Sequence, residues 1–197
     1  ATHRSGAPGV AKRHMIECVG PGAALFDADG DGDLDAWQVR GGQVQPDGAW
    51  QAAAEPDVLY LNDGAAHFAP APQADTGRGF GFGVCAADVD GDADLDVYLA
   101  DLGPNRLLRN DGDARLVPVP GAGGAAGAAD EWSMCGAFAD PDADGDLDLY
   151  VSNYLAHDLA HPMIASGRPC RWLGCEVPCG PKGLTPQADR YFVNDGA

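Results

Sequence analysis

Basic residues are scarce in this chain. Its 197 residues include 12 Lys and Arg against 30 Asp and Glu, a net charge of -18 at pH 7. Nucleic acid and anionic membrane surfaces both need a cationic face, so neither is expected as a partner. No apolar run reaches the 18 residues of a membrane span, which argues against membrane insertion. Familiar catalytic signatures are also missing. There is no Ser-centred nucleophile elbow, no His-Glu-x-x-His and no phosphate-cradling glycine loop. The chain opens Ala1-Thr-His-Arg4, with neither an initiator Met nor a signal peptide. That reads as a leader removed on export or as a piece of a longer chain.

Glutamate is nearly missing too, and this sharpens the meaning of the acidity. Only four of the acidic residues are Glu, and 15 of the 26 Asp fall in three nine-residue windows. A solvated acidic surface would not cluster in this way. What the chain does have in plenty is Gly (28) and Pro (15), beside 45% apolar residues. That composition predicts a packed core with many turns and short strands.

The three windows are repeats. They read Asp27-Ala-Asp29-Gly-Asp31-Gly32-Asp33-Leu34-Asp35, then Asp88-Val-Asp90-Gly-Asp92-Ala93-Asp94-Leu95-Asp96, then Asp140-Pro-Asp142-Ala-Asp144-Gly145-Asp146-Leu147-Asp148. A small apolar run precedes each, and strand-like residues follow: Ala36-Trp-Gln-Val39, Val97-Tyr-Leu-Ala100 and Leu149-Tyr-Val-Ser152. Farther on, each unit has a strand-like run ending in Asn-Asp-Gly, at Asn62-Asp63-Gly64, Asn110-Asp111-Gly112 and Asn194-Asp195-Gly196. These residues tolerate positive φ and signal a hairpin. Each unit thus reads strand, acidic loop, strand, connection, strand, turn, strand. That is a four-stranded antiparallel sheet of roughly 40–50 residues, the size of a propeller blade. The expected fold is all-β, a partial β-propeller of about three four-stranded blades. One domain covers 1–197, with approximate repeats 16–75, 76–125 and 126–197 and a Cys-rich insertion at 153–188.

Asp at positions 1, 3 and 5 of a tight loop can turn three carboxylates to one point. Gly at position 6 permits the turn, position 7 offers a backbone carbonyl, and a carboxylate at position 9 closes the shell. This suits Ca²⁺, a hard cation that takes six to eight oxygens. All fifteen loop aspartates are therefore candidate metal residues: Asp27, Asp29, Asp31, Asp33, Asp35; Asp88, Asp90, Asp92, Asp94, Asp96; Asp140, Asp142, Asp144, Asp146, Asp148. An EF-hand needs Glu at position 12 and flanking helices. Here that position holds Gln38, Leu99 and Val151 among strand-like residues. Ala93 replaces the turn glycine in the second loop, so that site is expected to be the weakest of three.

These residues resemble the FG-GAP/VCBS repeats of calcium-binding β-propellers, as in integrin α-subunit blades. Gly20 to Asp35, Gly79-Phe-Gly-Phe-Gly-Val-Cys-Ala-Ala-Asp88 and Trp132-Ser-Met-Cys-Gly-Ala-Phe-Ala-Asp140 look more closely like blades of the family related to cartilage acidic protein, with its ASPIC/UnbV region. Cys170-Arg-Trp-Leu-Gly-Cys175-Glu-Val-Pro-Cys179 resembles an insertion of its bacterial members. The resemblance implies a parent propeller of seven or eight blades, location outside the cytoplasm (secreted, periplasmic or cell-surface) and binding rather than catalysis. It also implies a Cys170–Cys179 disulfide with Cys175 left over. On spacing alone a disulfide, a Cys/His metal site with His157 and His161, or free thiols stay open.

Cys85 and Cys135 share strand parity and are expected to be small thiols facing the core. Gly121 to Ala129 reads as a flexible connection between blades. The expected partner is another protein or a glycan at loop surfaces. Trp37, Trp50, Trp132 and Trp172 are candidates for a sugar-binding surface. The alternative is a fragment of a calcium-dependent polysaccharide lyase or hydrolase, or of a carbohydrate-binding protein.

Overall fold

Short apolar runs on either side of an acidic loop pair with each other, and this event, repeated three times, builds the molecule. The computed structural model describes residues 15–45, 49–71, 74–156, 170–177, 180–181 and 184–196. The first sheet holds β1 (Ala23–Phe26) and β2 (Asp35–Gln38). A small hairpin, β3 (Gln43–Val44) with β4 (Trp50–Gln51), then interrupts it before β5 (Val58–Asn62) and β6 (Phe68–Pro70) complete the order β1-β2-β5-β6. The second sheet runs without interruption through β7 (Gly81–Ala87), β8 (Asp96–Asp101), β9 (Arg106–Asn110) and β10 (Leu116–Val119). The third pairs β11 (Ser133–Ala139), β12 (Asp148–Asn153) and β15 (Arg190–Phe192), with the hairpin β13 (Cys170–Trp172) and β14 (Cys175–Val177) inserted between the last two. All these pairings are antiparallel.

The molecule is thus all-β, a partial β-propeller in which each sheet is a blade. Inserted hairpins fall in the first and third units, the latter within the Cys-rich stretch at 153–188. No helix among the described residues is long and apolar enough to cross a membrane.

Each blade has two apolar faces, and alternation along the strands decides which neighbour each residue meets. One residue makes the rule visible. Trp37, Tyr98 and Tyr150 occupy the same place in β2, β8 and β12. Trp37 packs against the second blade and Tyr98 against the third, both fully buried, whereas Tyr150 is 44% exposed. Val97 and Leu99 point the opposite way, into the cluster shared with the first blade. The whole of β8 is buried because the middle blade is covered on both faces.

The same rule corrects the expectation for Cys135. Its parity with Cys85 holds, but Cys85 faces the third blade and is half-buried, while Cys135 faces the uncovered side of that blade and is exposed. Burial, then the neighbouring Cys135, pushes the Cys85 thiol up to about 12, so it is an inert packing group at neutral pH. The connection Gly121 to Ala129 is anchored at two points: Ala122 is 3% exposed, and the Tyr98 hydroxyl donates to the Ala125 carbonyl at 2.8 Å, while Gly121, Gly123 and Gly124 are exposed.

At the sheet ends away from the acidic loops, a ladder of rings runs Trp50, Phe80, Phe82, Trp132, Tyr154, with centroids 5.2–6.4 Å apart. It ties the first insertion to the second and third blades. Trp37 and Trp132 are therefore core residues, and only Trp50 and Trp172 keep appreciable exposed surface. Trp37 and Trp132, two of the four candidates for a sugar-binding surface, are buried and serve packing.

Candidate metal centres

Each acidic loop is wound by its own aspartates. At position 1, Asp27 accepts from the Gly30 and Gly32 N–H groups at 2.8 and 3.0 Å. Asp88 accepts from Gly91, Asp92 and Ala93 at 2.7–3.2 Å, and Asp140 from Asp144 and Gly145 at 3.2 Å. At position 5, Asp31, Asp92 and Asp144 each accept from the N–H of position 7 at 2.9–3.0 Å. One residue thus folds the loop from the start and another closes its middle.

Position 9 fastens the loop to the rest of the blade. Asp35 is fully buried and accepts from the Ala28 N–H, at position 2 of its own loop, and from the Asn62 N–H in the turn after β5, both at 2.8 Å. Asp96 does the same with Val89 at 3.0 Å and Asn110 at 2.8 Å. The third loop cannot, because position 2 is Pro141, which has no N–H. There Asp148 accepts from the Asn194 N–H at 2.9 Å, and the Tyr191 hydroxyl supplies the second donor.

These fastenings decide which carboxylates meet. In the first loop oxygens of Asp27, Asp29 and Asp35 lie within 4.8 Å of one another, and in the second those of Asp88, Asp90 and Asp96 do. In the third, where Asp148 is engaged by Tyr191, the group is Asp140, Asp142 and Asp144. Asp31 and Asp92 fall outside these groups. The position 7 side chains do too, and turn toward the Asn-Asp-Gly segment of their own blade. A methyl on Gly64 would sit 2.5 Å from the Asp33 carboxylate, one on Gly196 2.5 Å from Asp146, and one on Gly112 3.3 Å from Asp94. The glycine of that turn makes room for the loop as well as taking a positive φ.

Electrostatics make the groups receptive to a cation. Burial, followed by the charges of Asp35 and Asp31, raises Asp29 above the usual carboxylate range. Burial raises Asp96 to about 6, against the two N–H groups that hold it down. Asp94 and Asp142 are raised by desolvation and by neighbouring carboxylates. The residues present fit Ca²⁺. An ion binding oxygen at about 2.3–2.6 Å holds its ligands no more than about 5 Å apart, the spread found here. Where such an ion is bound, Asp27, Asp29 and Asp35 would hold it in the first loop, Asp88, Asp90 and Asp96 in the second, and Asp140, Asp142 and Asp144 in the third.

Backbone strain differs between loops. The first takes its positive φ at Gly30 (77°) and Gly32 (93°). The second places Ala93 at 77°, as its sequence predicted, and the third places Ala143 at 61°, at position 4, which the sequence reading overlooked. An alanine in this region is strained by about 1–2 kcal/mol relative to glycine. Ala93→Gly and Ala143→Gly are therefore each expected to stabilise the fold by about 0.5–1 kcal/mol after the added freedom of the unfolded chain is subtracted. Urea unfolding in chelator measures this, and a destabilised variant would contradict it.

Sequence reasoning saw Asn62, Asn110 and Asn194 only as turn formers. The structure gives them a second task. Asn110 Nδ2 donates across to the Ala28 carbonyl of the first blade's loop at 2.8 Å, and Asn194 Nδ2 to the Val89 carbonyl of the second at 3.4 Å. The recurrence of Asn-Asp-Gly after an apolar run in all three units was the available signal.

Three blade-like sheets, each carrying an acidic loop between its first two strands, define a repeat module of the propeller class. Residues 88–151, from the start of the second loop into β12, match the family model of the FG-GAP-like repeat. That match supports the FG-GAP repeat family for this stretch. No curated protein matches the chain.

Proposed function

We propose that the chain is a calcium-binding, non-catalytic interaction module of the FG-GAP/VCBS kind. Calcium acts as a structural ion in the loops at 27–35, 88–96 and 140–148, and the module docks another protein or a glycan on its loop surfaces outside the cytoplasm. One observation carries the reading. In each loop three carboxylates converge while the loop backbone is already wound around them. Desolvation and then the charges of neighbouring carboxylates raise Asp29, Asp94 and Asp142, and the ion would relieve the second of these.

The loop at 27–35 binds most tightly in this proposal, since glycine takes both of its positive-φ positions. The second and third loops follow, each with one alanine there. The affiliation with the ASPIC/UnbV family and the repeat boundaries 16–75, 76–125 and 126–197 belong to the same proposal. So does the Cys170–Cys179 disulfide. Cys170 is disulfide-bonded, which supports it, while Cys179, His157 and His161 lie outside the described residues.

Thermal unfolding in calcium against chelator tests the central claim. A ligand at 100 times its Kd adds about 2.7 kcal/mol per site that binds only the folded state. Three sites are expected to raise the transition markedly, and magnesium at the same concentration to raise it less. An unfolding curve identical in calcium and in chelator sinks the proposal.

A further inference from the structure

We propose that Asn110 and Asn194 are positioning residues that couple each cation loop to the blade that follows it. This rests on the calcium reading above and adds a dependence between the loops.

The geometry is a continuous path of hydrogen bonds. The Ala28 peptide lies between Asp27 and Asp29, two members of the first carboxylate group. Its N–H is held by Asp35 of its own blade. Its carbonyl is held by the second blade, from the Asn110 side chain at 2.8 Å and the Ala114 N–H at 3.1 Å. The Asn110 backbone N–H in turn donates to Asp96, a member of the second carboxylate group. Asp96 holds the Val89 N–H, and the Val89 carbonyl accepts from Asn194, whose own N–H donates to Asp148. The path therefore reads Asp35, Ala28, Asn110, Asp96, Val89, Asn194, Asp148, with one position 9 carboxylate in each blade.

Burial gives the Asn110 link its force, whereas the Asn194 link, at 3.4 Å, is only part-buried. Asn110 is 1% exposed, and Asp35, Asp96 and Asp148 are 0–2% exposed. Buried hydrogen bonds of this kind are stiff, and without the Asn110 side chain the Ala28 carbonyl keeps only the longer bond from the Ala114 N–H. Each end of the Ala28 peptide is fixed by a different blade, so the second blade sets the angle at which Asp27 and Asp29 face one another. A cation that orders Asp96 orders Asn110 with it, and through Asn110 the first loop.

Two single-loop proteins test this by calorimetric calcium titration. One keeps 27–35 and carries Asp90→Asn, Asp92→Asn, Asp142→Asn and Asp144→Asn. The other keeps 88–96 and carries Asp29→Asn, Asp31→Asn, Asp142→Asn and Asp144→Asn. Asn110→Ala is added to each, and a melting transition in chelator confirms that each variant folds. Loss of one buried hydrogen bond of about 1–1.5 kcal/mol corresponds to about tenfold in Kd. The expected result is a roughly tenfold weaker 27–35 loop, in the neighbouring blade, with the 88–96 loop of Asn110's own blade changed less than about threefold. Asn110→Asp, which keeps the shape and loses the donor, is expected to weaken 27–35 at least as much. A loss confined to 88–96, or equal in both, would overturn the coupling and leave Asn110 a turn residue of its own blade. No heat from either parent protein would overturn the calcium reading itself, and the coupling with it.

Discussion

Replacing Arg106 by methionine is expected to destabilise the protein by about 3–5 kcal/mol, the range for removing one partner of a buried charge cluster. Arg106 sits at the start of β9 and donates to Asp101 at 2.7 and 3.1 Å, to Asp57 at 2.9 Å and to the Thr76 carbonyl at 2.9 Å. Asp57 belongs to the first blade and Asp101 to the second, and both carboxylates are 1% exposed. Without the guanidinium two buried carboxylates face one another uncompensated.

The pH dependence follows. Burial raises Asp57 to about 6 even with Arg106 and the Arg40 N–H holding it down. Burial likewise raises Asp101. A raised carboxyl binds its proton more tightly folded than unfolded, so its contribution to stability falls as pH rises from about 4 to about 6. Removing Arg106 extends that fall to higher pH. The deficit of Arg106→Met is therefore expected to be larger at pH 7.5 than at pH 5, as measured by urea unfolding. A deficit that grows on acidification would contradict this account.

Gly83→Ala is expected to be nearly as damaging, through packing instead of charge. A methyl there would lie 2.3 Å from the Met134 carbonyl oxygen and 3.0 Å from the Cys135 Cα. Both are backbone atoms of β11, so no side chain can swing aside. Overpacking typically costs about 1–3 kcal/mol, and a backbone clash between strands packed face to face from adjoining blades belongs at the top of that range. Denaturant midpoints should show it, with the loss in blade docking visible as a lower m-value if the third blade detaches first. A variant as stable as the parent would show that β7 and β11 can separate freely.

The features that the sequence showed most clearly are those repeated three times. The acidic loops, the strand after each and the Asn-Asp-Gly turn led directly to the blade, because a period-2 alternation beside a tight turn has few other solutions. Gly79-Phe-Gly-Phe-Gly83 carried more information than it first showed. Gly79, Gly81 and Gly83 each meet a neighbour closer than 2.5 Å to where a Cβ would stand.

The direction in which each face points was harder to read. Cys135 has the alternation of a core residue, but alternation says only which side a residue takes, not whether another sheet covers it. The third carboxylate group was also obscured. The change at Pro141 looks minor in the sequence, yet it removes the N–H that Asp148 would otherwise hold. The role of Asn110 depends on a contact 82 residues away, which no local pattern contains.

The way blades grip one another has a last consequence, in the vocabulary of one-dimensional cooperative systems. Among the described residues the main contacts between sheets run from each blade to the next, through the Asn clasps, the Arg106 cluster and the apolar faces, so stability is approximately a sum of unit and nearest-neighbour terms. Among the described residues the middle blade is covered on both faces, and amide exchange should be slowest in β8, whose residues are buried throughout. The acidic loop of the second blade is then the one whose scaffold opens last, even though Ala93 gives it a strained turn.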